Sequence, residues 1–211
     1  MFNTTIATQI YAKICFEATN SQKKIIENLS EYLSDDDFSR IFVLNGFAGT
    51  GKTTLIAALV AALKELRIKP VLLAPTGRAA KVLARYCGEQ ALTIHKRIYR
   101  QRTNADYESK FSLDFNREQG AVFIVDEASM LSDSTGDGAL FGSGSLLEDL
   151  VSYVRSGRGC RLILVGDSAQ LPPVGCDFSP ALDPATVSRY GEVVYGLMDE
   201  VVRQQMQSGI L

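Results

Sequence analysis

A chain of 211 residues with 46% hydrophobic content is long enough to bury the core of one generous domain, or of one domain with a small insertion. No apolar run reaches the roughly 18 residues of a helical membrane span, and no basic segment leads into an apolar one, so neither a span nor a secretory leader is expected. With a net charge of only −2, a uniformly basic nucleic-acid binder is excluded and any such surface must be a local patch.

Residues 5–33 carry apolar positions at helical spacing (Ile14, Ala18, Ile25, Ile26, Leu29, Leu33), broken near Thr19-Asn20-Ser21, which reads as the N-cap of a second helix. Ser34 to Ser39, with three consecutive aspartates, reads as a solvated turn. The apolar run Ile41–Leu44 then enters Gly46-Phe47-Ala48-Gly49-Thr50-Gly51-Lys52-Thr53-Thr54, and a helix is expected near 53–67. Further buried parallel strands are expected at Val71–Ala74, Ala121–Val125 and Arg161–Val165, with helices near 77–87 and 143–156 between them. This alternation predicts an α/β fold, a parallel sheet with crossover connections and flanking helices.

Residues 107–116 depart from that rhythm by alternating with period two, and Ile98–Arg102 could pair with them across Thr103-Asn104-Ala105-Asp106. A small β-hairpin insertion over 99–118 is therefore expected. The Gly-, Ser- and Asp-rich stretch 132–145 reads as a mobile loop. The expected organisation is N-terminal helices over 1–39, then one domain over 40–211.

The run Gly46–Thr54 fits the phosphate-binding pattern G-x-x-x-x-G-K-[ST]. Its glycines allow a tight turn and bring N–H groups of Ala48, Gly49, Thr50, Gly51 and their neighbours against phosphate oxygens without a Cβ in the way. The following helix points its positive end at the same phosphates, Lys52 adds a full charge, and the Thr53 hydroxyl is the expected Mg²⁺ ligand, with Thr54 beside it. The strand ending Val122-Phe-Ile-Val-Asp126-Glu127 supplies two carboxylates, Asp126 to hold the metal and Glu127 to orient and deprotonate a water. A nucleoside triphosphate with Mg²⁺ is the expected ligand.

Other constellations read two ways. Gln170, in Gly166-Asp167-Ser168-Ala-Gln170-Leu-Pro-Pro-Val-Gly175, can report a γ-phosphate or simply sit in a Pro-rich turn. Pro75-Thr76-Gly77-Arg78 opens a helix after a strand and suits a nucleic-acid phosphate, or is an N-capped helix with a solvated face. Thr93-Ile-His95-Lys96 is a small polar and basic cluster, in which the single histidine is a DNA contact or a packing residue. Arg203 is a stabiliser of phosphoryl charge or an exposed helix arginine. Cys15, Cys87, Cys160 and Cys176 are far apart and form no C-x-x-C pair, so a zinc site is not expected and they read as reduced thiols of a cytoplasmic protein.

Taken together, the blocks GFAGTGKTT, APTGRAAKVL, TIHKRIY, VDEASM, LVGDSAQLPPVG and VVRQ resemble, in order, the motifs of a superfamily 1 DNA helicase of the RecD-like and Pif-like branch. VDEASM followed by GDxxQLPPV is the most specific part. The resemblance implies a RecA-like motor domain that couples ATP hydrolysis to single-stranded DNA. It implies that Lys52 and Thr53 hold phosphate and Mg²⁺, that Asp126 and Glu127 are metal ligand and base, and that Gln170 and Arg203 read the γ-phosphate. Thr19-Asn-Ser-Gln22 is similar to the family's adenine-reading Q motif, through Gln22. The hairpin lies where the family inserts a strand-separating element. Members of the family bind ATP between two RecA-like domains, and this chain resembles the first alone. A P-loop enzyme of another class, such as a small-molecule kinase, and a nucleotide-gated DNA-docking module without turnover are the alternatives.

Overall fold

A computed structural model of the protein describes residues 2–103, 109–133 and 141–202. Two helices open the chain, α1 (Phe2–Lys13) and α2 (Asn20–Ser34). Thr19 caps α2: its hydroxyl accepts from the Gln22 N–H while the Gln22 side chain accepts from the Thr19 N–H, a reciprocal capping box. The break read at Thr19 is thus a helix start.

The sheet strands are β1 (Ile41–Gly46), β2 (Pro70–Ala74) and β3 (Ala91–Thr93), then, beyond the hairpin strands β4 (Tyr99–Thr103) and β5 (Ser109–Leu113), β6 (Val122–Val125), β7 (Arg161–Gly166) and β8 (Val193–Met198). Between them run α3 (Lys52–Glu65), α4 (Gly77–Cys87), α5 (Ile94–Ile98), α6 (Leu146–Ser156) and α7 (Pro184–Val187). The order across the sheet is β3-β2-β6-β7-β1-β8, and every pairing is parallel. All six strands therefore end on one edge.

Alternation along each strand sends side chains to opposite faces, and this divides the core in two. Phe42 and Leu44 join Ile124 and Val165 under α1–α4, whereas Ile41 and Val43 join Phe123, Val125 and Leu164 under α5–α7. Ile6 and Ile10 of α1 and Ile25, Ile26 and Leu29 of α2 belong to the first cluster, so the N-terminal helices pack on the sheet itself.

The four strands expected from apolar runs are present, within a residue or two of their expected limits. Two others, β3 and β8, were not foreseen. The period-two segment forms the antiparallel hairpin β4–β5, with Tyr99 opposite Leu113 and Gln101 opposite Phe111. Residues 104–108 at its turn lie outside the described residues. Within 132–145, residues 134–140 also lie outside them, but the flanks are held: Gly142 N–H donates to the Phe111 carbonyl at 2.9 Å and the Ser145 hydroxyl caps α6.

Candidate active site

Polar side chains gather at the carboxyl edge of the sheet, where open parallel α/β sheets bind ligands. β1 runs straight into Gly46–Gly51, and α3 begins at Lys52. Gly51 adopts φ +86 at the helix start and Gly49 φ +79, a left-handed backbone that strains an L side chain. Both residues border a cleft of about 320 Å³. That cleft is bordered by the loop, by Asp126 and Glu127 from the end of β6, and by Asp167 and Gln170 after β7. Ala48, Thr53 and Thr54 also line it, with Tyr86 of α4 on its wall.

Lys52 donates to the Gly46 carbonyl and, at 2.9 Å, to that of Phe47, and its ammonium lies 3.7 Å from the Asp167 carboxylate. Asp167 is 3% exposed. Its other oxygen accepts from the Ala169 N–H at 2.9 Å and its carbonyl from the Gln170 N–H at 3.1 Å, which folds the loop bearing Gln170. Gln170 in turn accepts from the Ser129 hydroxyl at 3.3 Å, a direct link to the segment after Glu127.

Asp126 continues the β6 backbone, its N–H bonded to the Leu73 carbonyl at 3.0 Å, and its carboxylate accepts from the Glu127 N–H at 3.0 Å. Burial pushes the Asp126 pKa up, and the Glu127 charge adds to this; the Glu127 N–H bond and Lys52 oppose it. Glu127 itself holds φ 56, ψ 37, the left-handed conformation that costs a non-glycine residue of order 1 kcal/mol or more. The bend turns the chain into a short helical turn, Ala128–Met130, and carries two adjacent carboxylates to the same cleft.

Gln22 is 1% exposed beneath the loop. Its carbonyl is in the capping box and its amide donates to the Thr50 carbonyl at 3.0 Å, so both ends of the group are engaged within the protein. Thr76 caps α4 by accepting from Ala79 N–H, and Thr76, Gly77 and Arg78 are exposed, with Pro75 half-buried. Thr93 caps α5, Lys96 is exposed, and His95 packs against Tyr99 and edge-on against Phe141, its ring centroid 5.0 Å from that of Phe141. Arg203 lies outside the described residues.

Sequence reasoning missed three residues that order this edge. Asn45, 6% exposed on β1, accepts from the Ser168 N–H at 3.0 Å and donates to the Ser168 hydroxyl at 2.8 Å and the Tyr195 hydroxyl at 3.0 Å. It ties the phosphate-loop strand to the Gln170 loop and to β8. Asp167 and Tyr195 complete the set. Asn45 and Tyr195 act through partners far away in sequence, so no local pattern marks them, and Asp167 stands inside the GDSAQLPPV run without its contact to Lys52 showing there.

Comparison with known proteins agrees with this geometry. Residues 17–209 match the family model described as "AAA domain". The chain is 30% identical over 154 residues to the ATP-dependent RecD2 DNA helicase of Deinococcus radiodurans, covering 73% of this chain and 19% of that protein. It is 33% identical to the RecD subunit of the RecBCD enzyme of Mycobacterium tuberculosis (77% of this chain, 32% of that one) and 34% identical to the ATP-dependent DNA helicase dda of phage T4 (62% and 28%). The chain thus spans a third or less of the length of these relatives. Among solved structures, that of Bacteroides sp Pif1 in complex with ADP-AlF4 superposes with a TM-score of 0.55 at 19% identity, over 90% of this chain and 43% of that one. Pif1 helicase from Candida albicans superposes equally well at 22% identity, over 90% and 41%. These structures share the RecA-like P-loop fold expected from the sequence.

Proposed function

The chain belongs to the AAA domain family, on the branch of the RecD- and Pif1-like superfamily 1 helicases, and we propose that it is the first, ATP-hydrolysing motor domain of a DNA helicase. One observation carries the reading: Lys52, the Asp126–Glu127 pair and Gln170 face one cleft from three different strand ends. A nucleotide-binding module has no need of a second carboxylate there, whereas a triphosphatase needs both a metal ligand and a base.

The residues fit ATP with Mg²⁺. The loop N–H groups and the start of α3 suit the phosphates, and Lys52 adds charge at the β and γ positions. Thr53 and the buried Asp126 would hold Mg²⁺, which neutralises phosphate charge as the γ-phosphoryl leaves. Among the described residues no group of three or more His, Cys, Asp or Glu could cage a metal alone, so the ion is expected to arrive with the nucleotide. Glu127 orients and deprotonates the attacking water. Gln170, hydrogen-bonded to Ser129, is suited to sense the γ-phosphate and pass its presence to the segment after Glu127. Arg203 is the proposed further cation at the γ-phosphate, and Gln22, whose amide also supports the loop through Thr50, is the proposed reader of the base.

The proposed track for single-stranded DNA runs over the Pro75-Thr76-Gly77-Arg78 helix start, exposed from Thr76 to Arg78, and the Thr93-His95-Lys96 turn. Arg78 and Lys96 supply charge there and the capped N-termini supply N–H groups. A second RecA-like domain is the proposed partner across the cleft, in the cytoplasm. Among the described residues no helix is long and apolar enough to cross a membrane, and all four cysteines are free thiols.

Glu127→Gln tests the assignment. The variant is expected to bind ATP as tightly as the wild type while turnover falls by about 10²- to 10⁴-fold. Lys52→Ala is expected to lose binding itself. Undiminished turnover in Glu127→Gln would refute the role given to this carboxylate.

A further inference from the structure

We propose that Glu200 is a positioning residue for the nucleotide site, tying the segment Asp199–Val202 to α2 as a strap that clamps the phosphate loop. The inference rests on the reading of Gly46–Thr54 as that loop and adds a control element to it.

Beyond β8 the chain crosses back over the loop. The Met198 carbonyl accepts from the Phe47 N–H at 3.2 Å, and the Val202 N–H donates to the Gly49 carbonyl at 3.1 Å. A Cβ placed on Gly51 would lie 3.2 Å from Val202 Cγ2 on one side and 2.8 Å from Gln22 Nε2 on another. A Cβ on Gly49 would meet Val201 Cγ1 at 3.6 Å. The loop is therefore held between the strap and α2, and at Gly51 contact as well as backbone angle requires glycine.

Glu200 fastens the strap. Its two carboxylate oxygens accept from the Asn20 N–H at 3.1 Å and the Ser21 N–H at 3.2 Å, two donors that a helix start leaves without an internal partner. The first turn of α2 contains no acidic residue, so Glu200 supplies from a distant position the negative charge that a helix N-terminus favours. The circuit then closes: α2 holds Glu200, the strap holds Gly49 through Val202, and Gln22 holds Thr50 back to α2. The Val202 and Gln22 links end on the Gly49 and Thr50 carbonyls, within the backbone that would present N–H groups to phosphate. Loosening the strap must loosen those N–H groups, and by linkage a bound nucleotide must tighten the hold of Glu200 on α2.

The test uses the full chain with Glu200→Ala and Glu200→Gln. Amide hydrogen exchange is followed over Asn20–Gln22 and Gly49–Lys52 without nucleotide, and a fluorescent ATP analogue gives Kd. In Glu200→Ala both segments are expected to exchange about fivefold faster or more, and the analogue to bind about fivefold more weakly, as loss of a charge at a helix start allows. Glu200→Gln, which keeps one acceptor and loses the charge, should fall between. Faster exchange confined to Asn20–Gln22, with Kd unchanged, would reduce Glu200 to a helix cap and overturn the proposal. A wild type that bound no nucleotide would count against the functional reading, while loop exchange would still decide the strap.

Discussion

Asn45 shows how the site is ordered by groups that carry no chemistry themselves. Its buried amide joins β1, the Ser168 turn and Tyr195, so Asn45→Ala leaves several polar groups short of partners. The expected cost is about 1–3 kcal/mol in chemical denaturation, together with weaker ATP turnover, because the Gln170 loop loses its anchor. Gly51→Ala should be worse for function than for stability. Its φ of +86 and the Gln22 amide 2.8 Å from the new Cβ both force the loop to move, and nucleotide affinity is expected to fall at least tenfold by calorimetry. Lys52, Asp126 and Glu127 were legible in the sequence because their pattern is local, a loop or a strand end with fixed spacing. Asn45 and Glu200 were not, because each acts through partners that only the fold brings near, 179 and 180 positions away for Glu200. The left-handed backbone of Glu127 was equally hidden, since nothing in VDEAS requires it.

Strands buried on both sides announced themselves as apolar runs, which is why β1, β2, β6 and β7 were read correctly. β8 is an edge strand with Tyr195 and Leu197 exposed and with Gly196 pressed against Ile25 of α2, so neither its alternation nor its composition stood out. β3 has only three residues. The hairpin was legible from its period, but its root was not. Phe111 stacks on Phe141 with centroids 4.5 Å apart, Tyr99 and His95 close around the same ring, and the Tyr99 hydroxyl donates to Asp149 at 2.6 Å. Part of the Gly- and Ser-rich stretch thus seats the hairpin on the body. Phe141→Ala is expected to cost about 2–3 kcal/mol locally and to speed amide exchange in β4 and β5 while leaving the phosphate loop unchanged. His95 gives the root a pH dependence. Burial holds its pKa below the ordinary value, so as pH falls the unfolded chain takes up the proton first and stability is lost from about pH 6.5 downwards. Urea titrations at pH 7.5 and 5.5 should show this loss, and His95→Asn should lessen it.

Six parallel strands deliver their ends to one edge, and the two cores behind them fix those ends in place. This is the arrangement by which one fold can bring a phosphate loop, a carboxylate pair and a glutamine together from distant parts of the chain. It also explains why the exposed helix start at Thr76 and the half-buried one at Thr93 lie on the same edge as the cleft, since each follows a strand of the same sheet. The cleft and the proposed nucleic-acid track are thereby neighbours on one frame. The most direct measurement is ATP hydrolysis by this chain with and without single-stranded DNA, with Lys52→Ala as control. Slow turnover that depends on Lys52 and rises with single-stranded DNA is the predicted result. Turnover indifferent to Lys52→Ala, or phosphate transfer to a small-molecule acceptor regardless of DNA, would contradict it.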